Sequence, residues 1–129
     1  MSRILVAYFS RKGENYWNGN IKNIAKGNTE VVAEMIGAMT GGELFQVETV
    51  KPYAEDYHAC VKEAVSELRV NARPELKRYL DTLNDYDTII LGFPNWCGTM
   101  PMAMFTFLEH YDWAGKRVLP FCTNEGSGM

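Results

Sequence analysis

The sequence predicts one α/β domain in which a parallel β-sheet carries helices on both faces. The first observation is that short apolar runs alternate with helical patterns along the chain. The second is that two of these runs are apolar throughout, as buried parallel strands are, whereas another alternates like an edge strand. The length of 129 residues, of which 47% are hydrophobic, suits a single core.

The first half of the chain predicts two strands, each followed by a helix. Residues 4–9 form a continuous apolar run, and apolar residues recur at helical spacing through residues 30–39. The pair Gly41-Gly42 ends this helix. Residues 44–49 alternate, which favours an edge strand. Residues 56–69 form an amphipathic helix, and its expected inward face consists of Cys60, Val61, Ala64, Val65 and Leu68.

The second half repeats the alternation. Pro74 suits the first position of a short helix over residues 74–80. Residues 88–93 predict a buried strand, residues 101–111 a helix and residues 118–122 a fourth strand. Because Pro120 cannot donate to a ladder, the fourth strand belongs at a sheet edge or carries a bulge. Right-handed crossovers, two central apolar strands and one alternating edge strand together predict the order 2-1-3-4.

Composition narrows the class of protein. A net charge of −3 argues weakly against nucleic acids and anionic membranes as partners. Three widely spaced cysteines form neither a disulfide framework nor a zinc motif, which favours a reducing cytoplasm. The amino terminus lacks a signal-peptide cleavage pattern, and no stretch approaches the roughly 20 apolar residues of a membrane span.

Ligands of open α/β sheets bind beyond the carboxyl ends of the strands, where the strand order reverses. Here the loops after the first, third and fourth strands meet at that point. The first loop offers the Ser10 hydroxyl and then Gly27-Asn28-Thr29 at a helix start, where unpaired N–H groups can bind phosphate. Asn28 or Thr29 can equally serve only as a helix cap.

The other two loops offer an aromatic ring and small residues. In residues 94–100, Trp96 can stack on a planar ring or can merely cover the following helix. Residues 123–128 are polar and rich in glycine, so their backbone can approach a ligand closely or can form an ordinary turn. The three loops together are the parts that a planar cofactor carrying one phosphate needs.

Three motifs give the chain a resemblance to the flavodoxin family. They are "ILVAYFS…GNTEVVAEMI", "DYDTIILGFPNWCGTMPMAMFTFLE" and "KRVLPFCTNEGSG". The resemblance extends over nearly the whole chain and implies a flavodoxin-like α/β/α sandwich that binds FMN non-covalently. It implies phosphate contacts from the first loop, flanking of the isoalloxazine ring by the second, and ribityl and ring contacts from the third. The candidate FMN-binding residues are Ser10, Arg11, Lys12, Asn28, Thr29, Pro94, Asn95, Trp96, Cys97, Gly98, Thr123, Asn124, Glu125, Gly126 and Ser127.

The connection from Arg11 to Asn28 is far longer than the usual loop of about 2–6 residues. It resembles the insertion in one bacterial flavodoxin branch. Residues 12–26 are linker-like and rich in Asn and Gly, and the middle of the connection, residues 13–26, is expected to be an excursion that can fold over the cofactor. Tyr16 and Trp17 in this excursion are expected either to cover the flavin or a partner's surface, or to pack within a solvated loop. Cys97 replaces a second tryptophan that is frequent in that branch.

The resemblance also implies that this single domain, residues 1–129, lacks the last strand and helix of a flavodoxin. The fourth strand would then expose an edge, which favours a homodimer through that edge or domain exchange. The predicted function is cytoplasmic electron transfer with redox partner proteins, in which Trp96 and Glu125 would disfavour the anionic reduced flavin. The alternatives are an FMN-dependent reductase of quinones or small electrophiles, and a remnant that binds no flavin.

Overall fold

The computed structural model describes residues 3–10, 13–17, 20–24, 27–54, 56–96 and 99–123. Six strands and three helices occur in this part of the chain. In chain order they are β1 (Ile4–Tyr8), β2 (Gly13–Trp17), β3 (Asn20–Ile24), α1 (Asn28–Thr40), β4 (Glu43–Gln46), α2 (Tyr57–Arg69), β5 (Thr88–Pro94), α3 (Met102–His110) and β6 (Arg117–Thr123).

The main sheet has four parallel strands in the order β4-β1-β5-β6, which confirms the predicted order 2-1-3-4. In its register, Val6 of β1 lies between Leu44 of β4 and Ile90 of β5. The central strand β1 is buried from Leu5 onwards, as its continuous apolar run predicts. Strand β6 is an edge strand, which accommodates Pro120.

The two faces of the sheet carry cores of different size. On one face, alternate residues such as Leu5 and Ala7 join a large cluster with Met104 and Phe107 of α3. On the other face, Val6 and Tyr8 meet Ala33 of α1 in a small cluster. The three layers are therefore α1, the sheet, and the layer that contains α3.

Helices α1 and α2 pack through their small residues. The buried positions of α1 are Thr29, Ala33 and Gly37, and a Cβ on Gly37 would lie 3.0 Å from Leu44 Cδ2. The larger apolar residues Met35 and Met39 are 59% and 83% exposed.

The predicted inward face of α2 is only partly correct. Cys60 and Ala64 are buried, whereas Val61, Val65 and Leu68 are each more than a third exposed. Among the helices and strands, α2 contacts mainly α3. Only a narrow stripe of α2 is therefore covered, and the apolar residues beside this stripe stay exposed.

Two expectations about local structure are wrong. Residues 74–80 form no helix, because Val50 N donates to Glu75 O at 2.8 Å and Lys77 N donates to Glu48 O at 2.8 Å. This antiparallel pairing with a distant segment holds the backbone extended. The linker-like excursion contains two strands, β2 and β3, which pair antiparallel, and the Asn-Gly pair between them in the sequence is a signal for such pairing.

Candidate functional site

The amino-terminal end of α1 lies beside the end of β1. Gly27, in an extended conformation, is the N-cap residue, so Asn28 and Thr29 belong to the first helical turn and do not act as the cap. Ser10, two residues beyond β1, accepts a hydrogen bond from Glu30 N at 3.1 Å. This bond satisfies one first-turn N–H group from outside the helix and fixes the start of α1 against the first loop.

Thr123, at the end of β6, connects all three loops. Its Oγ1 lies 2.8 Å from Thr29 Oγ1, and either hydroxyl can donate. Its carbonyl oxygen accepts a hydrogen bond from Asn95 N at 2.9 Å. Thr29 is only 1% exposed, so its hydroxyl joins α1 to β6. The structure therefore brings Ser10, Thr29, Asn95 and Thr123 into one cluster, as the topology predicts.

Trp96 is half-buried at the start of the second loop. Its backbone exchanges two hydrogen bonds with Thr99, with N···O distances of 2.8 and 3.1 Å. Its ring lies 5.1 Å from the Phe9 ring and 5.0 Å from the Tyr53 ring, in both cases edge-to-face. Trp96 is thus held by two other aromatic rings while part of it stays open to solvent.

Tyr53 is a residue of this region that the sequence analysis missed. It lies in the loop after β4, residues 47–54, which also begins at the carboxyl edge of the sheet. Its hydroxyl donates to Glu67 Oε1 of α2 at 2.6 Å. The sequence signal for Tyr53 was an aromatic residue in a loop at the carboxyl edge. This loop follows the outer strand β4, however, whereas ligands are expected at the switch point between β1 and β5.

A cavity with a volume of about 650 Å³ lies between this loop and α2. Its lining residues are Thr49, Val50, Lys51, Pro52, Tyr53, Lys62, Glu63, Ser66, Glu67, Ala72, Arg73, Pro74 and Glu75. Of these, Tyr53 also contacts Trp96. The cavity therefore adjoins the aromatic cluster from the α2 side and contains none of the residues of the three predicted loops.

Burial controls the ionisation of the groups near Trp96. It raises the pKa of the Tyr53 phenol far above its ordinary value, and the bond to Glu67 raises it further. Burial also raises the pKa of the Glu67 carboxyl, and the bond from Tyr53 partly offsets this. Tyr53 is therefore a neutral hydrogen-bond donor at physiological pH.

Several predicted site residues lie outside the described part of the chain. They are Arg11, Lys12, Cys97, Gly98, Asn124, Glu125, Gly126 and Ser127. Pro94 is the last residue of β5 and half-buried, and Asn28 is half-buried in the first turn of α1. The side chains of Tyr16 and Trp17 also lie outside the described part of the structure.

The described residues contain neither a cluster of metal ligands nor a membrane-spanning helix. No group of three or more His, Cys, Asp or Glu side chains there is placed to hold a metal ion. Burial raises the pKa of the Cys122 thiol, so this cysteine is less reactive than an exposed one. None of the helices described has the length and apolar character that crossing a bilayer requires.

The strand order and the helix N-terminus at the switch point define a flavodoxin-like α/β protein. The sequence matches the flavodoxin family over residues 3–129. The chain therefore belongs to the flavodoxin family. No curated protein matches it.

Three solved structures of flavoproteins are similar to this chain in sequence and fold. A protein from Bacteroides eggerthii named as a flavoprotein is 32% identical, with a TM-score of 0.80, and a second from Bacteroides uniformis is 33% identical, with a TM-score of 0.78. A flavoprotein from Lactobacillus acidophilus in complex with FMN is 25% identical, with a TM-score of 0.73. The alignments include 98% of this chain in all three cases, and 74%, 74% and 78% of the other chains respectively.

Proposed function

We propose that this protein binds FMN non-covalently at the carboxyl ends of β1, β5 and β6 and transfers electrons through it. The observation that carries this proposal is the meeting of the α1 N-terminus, the Thr29–Thr123 hydroxyl pair and Trp96 at one edge of the sheet. Membership of the flavodoxin family and the FMN complex of the Lactobacillus acidophilus protein support it.

The residues of the first loop fit a phosphate group. Gly27 places no side chain over the helix start. The N–H groups of Asn28 and Thr29 can donate to a ligand there, at the positive end of the helix dipole, whereas Glu30 N already donates to Ser10. Asn28 and Ser10 are half-buried and can add polar contacts. Thr29, whose hydroxyl is paired with Thr123, holds this turn in place.

The second loop fits a planar ring. Trp96 presents the exposed part of a large, rigid aromatic surface, and such surfaces favour offset stacking or edge contacts with other rings. FMN supplies the reversible redox chemistry, and the protein supplies binding and orientation. Stacking on Trp96 would exclude water from one side of the ring and would favour its neutral forms over an anionic one.

The first test is the visible absorption spectrum of the purified 129-residue chain, recorded again after addition of FMN and removal of the excess. We expect flavin bands that stay with the protein and a 1:1 ratio of FMN to chain. A colourless protein that does not retain added FMN would contradict the proposal and favour a remnant without flavin. Sustained turnover of a nicotinamide donor with a quinone would indicate a reductase instead of a carrier.

The proposed partners are redox proteins of the cytoplasm. Neither Cys60 nor Cys122 forms a disulfide, which suits a reducing compartment. A net charge of −3 gives a weak preference for a partner with a basic docking surface. Electron transfer from a reduced flavoprotein donor, measured at low and high salt, tests this preference: we expect faster transfer at low salt.

Strand β6 is the proposed contact with a second copy of the chain. Within the described residues it pairs only with β5, and Val118 and Leu119 are 36% and 48% exposed. An unpaired strand edge is a template for another strand, and the same edge on a second copy is self-complementary. Sedimentation should show a dimer that Leu119→Lys weakens. A monomer at every concentration would contradict this.

A further inference from the structure

The loop after β4, residues 47–54, is attached to α2 by two hydrogen bonds. Besides the bond from the Tyr53 hydroxyl to Glu67, Ala54 N donates to Glu63 Oε1 at 2.7 Å. Glu63 and Glu67 lie one helical turn apart, so they face the same side of α2. The two carboxyl groups therefore bind two consecutive residues of the loop, Tyr53 through its hydroxyl and Ala54 through its backbone N–H.

The loop after β4 holds the Tyr53 ring against the aromatic residues of the candidate site. Tyr53 lies 6.0 Å from Phe9 and 5.0 Å from Trp96, at interplanar angles of 86° and 88°. Phe9 and Trp96 are 5.1 Å apart at 83°. Each of the three rings thus meets the other two edge-to-face, a favourable geometry with little freedom to rotate.

Backbone contacts alone do not determine where the Trp96 ring lies. They fix the loop through Thr99 and through the bond from Asn95 N to Thr123 O, but the indole can still turn about its side-chain torsions. Phe9 restrains it from the end of β1, and Tyr53 restrains it from the loop after β4. The orientation of the indole consequently depends on a residue that is not itself in any of the three site loops.

We propose that Tyr53 and Glu67 are positioning residues that set the orientation of Trp96 toward the flavin. This inference rests on the proposed FMN site and extends it to α2, because Glu67 acts on the ring only through Tyr53. The hydroxyl–carboxyl bond fixes the Tyr53 ring, and the Tyr53 ring fixes the indole. A change at Glu67 should therefore alter the flavin environment without touching the flavin.

Three variants separate the steps of this arrangement. Tyr53→Phe keeps the ring and removes the bond, Glu67→Ala removes the acceptor, and Glu67→Gln keeps an oxygen acceptor. The matched control is Tyr111→Phe, which removes a half-buried hydroxyl that bonds to Leu80 N and O at the far end of α3. The measurements are the FMN dissociation constant, the visible circular dichroism of bound FMN, and the near-ultraviolet circular dichroism of the protein.

We expect Tyr53→Phe and Glu67→Ala to weaken FMN binding about threefold to tenfold, the equivalent of one aromatic contact. Both should change the visible circular dichroism of FMN and the near-ultraviolet tryptophan signal. Glu67→Gln should restore both spectra. Tyr111→Phe should leave the FMN affinity and the visible circular dichroism of FMN unchanged even where it lowers stability; its near-ultraviolet signal is not used, because the Tyr111 ring contacts Trp113.

The outcomes distinguish this inference from the proposed function. If wild type retains FMN and both Tyr53→Phe and Glu67→Ala match it in affinity and spectra, the inference is overturned and FMN binding stands. An equal change in the visible circular dichroism of FMN in Tyr111→Phe would also overturn it, because the effect would then be one of general stability. A wild type that retains no FMN overturns both proposals.

Discussion

The two edges of the parallel sheet are held together by different kinds of contact. At the amino edge, the Glu43 carboxylate accepts hydrogen bonds from Arg3 and from the Tyr86 hydroxyl. The Lys116 ammonium group donates to Leu83 O at 2.7 Å and to Tyr86 O at 2.5 Å. Charged side chains thus connect the first residue of β4 with the segments that precede β1, β5 and β6.

At the carboxyl edge, the contacts that join the site loops to one another are those of neutral groups. The hydroxyls of Thr29 and Thr123 form one link, and the rings of Phe9, Tyr53 and Trp96 form the other. Neutral hydroxyls and ring edges can exchange their partners for a polar or aromatic ligand without separating opposite charges. The comparison fits the proposal that the carboxyl edge binds the ligand, while the charged contacts of the amino edge serve stability.

The largest expected effect is on ligand binding at the carboxyl edge. Trp96→Ala should weaken FMN binding about tenfold to a hundredfold, since stacking on a planar base contributes about 1–3 kcal/mol in comparable sites. The matched control is Trp113→Ala at the amino edge, where the indole N–H donates to Leu108 O at 2.6 Å. Titration by flavin fluorescence should show a change for Trp96 alone. Equal losses in the two variants would remove the distinction between the edges.

The next effect is on stability at the amino edge. Lys116→Met should lower the free energy of unfolding by about 1.5–3 kcal/mol, because it removes a charged donor from two backbone carbonyl groups. FMN affinity should stay unchanged. Lys77→Met is the control, since the Lys77–Glu48 pair is long, at 3.6 Å, and exposed, and should change stability by less than about 0.5 kcal/mol. Urea unfolding of both variants measures the difference, and similar values would contradict the prediction.

A smaller effect is expected where stability and binding meet. Thr123→Val preserves the shape of the side chain but leaves the Thr29 hydroxyl, which is 1% exposed, without this partner. The loss should be about 1–3 kcal/mol in unfolding free energy, the cost of an unsatisfied buried group. FMN should stabilise the variant less than wild type in thermal melts. An equal shift in melting temperature on adding FMN would show that the hydroxyl pair does not support the phosphate loop.

The sequence predicted the strands, their order and the residues that meet at the carboxyl edge, because these depend on local patterns. Runs such as residues 88–93 identify the strands, and the strand order then places Ser10, Asn95 and Thr123 at one edge. It did not predict contacts between distant segments. The pairing of residues 48–50 with residues 75–77 replaced a predicted helix, and the contact of Tyr53 with Trp96 joins loops 43 positions apart. Such contacts depend on how the loops pack, which periodicity and turn signals do not encode.

The smallest expected effect is a difference in pH dependence between two glutamates. The bonds from Tyr86 and Arg3 lower the pKa of Glu43 below its ordinary value of 4.5, so the stability that ionised Glu43 provides is lost as the pH falls through the lowered pKa. Burial raises the pKa of Glu67 above 4.5. The stability linked to protonated Glu67 is therefore present at low pH and is lost as the pH rises through the raised pKa.

The corresponding variants should respond to pH in opposite directions. Relative to wild type, Glu43→Gln should be most destabilising at neutral pH and should approach wild type in acid, whereas Glu67→Gln should improve as the pH rises past about 4.5. Urea midpoints between about pH 3 and pH 7 measure both slopes. Parallel slopes would mean that Glu67 is not desolvated beside Tyr53. Opposite slopes would show that a carboxyl group is used as an ion pair at one edge and as a half-buried anchor for an aromatic ring near the other.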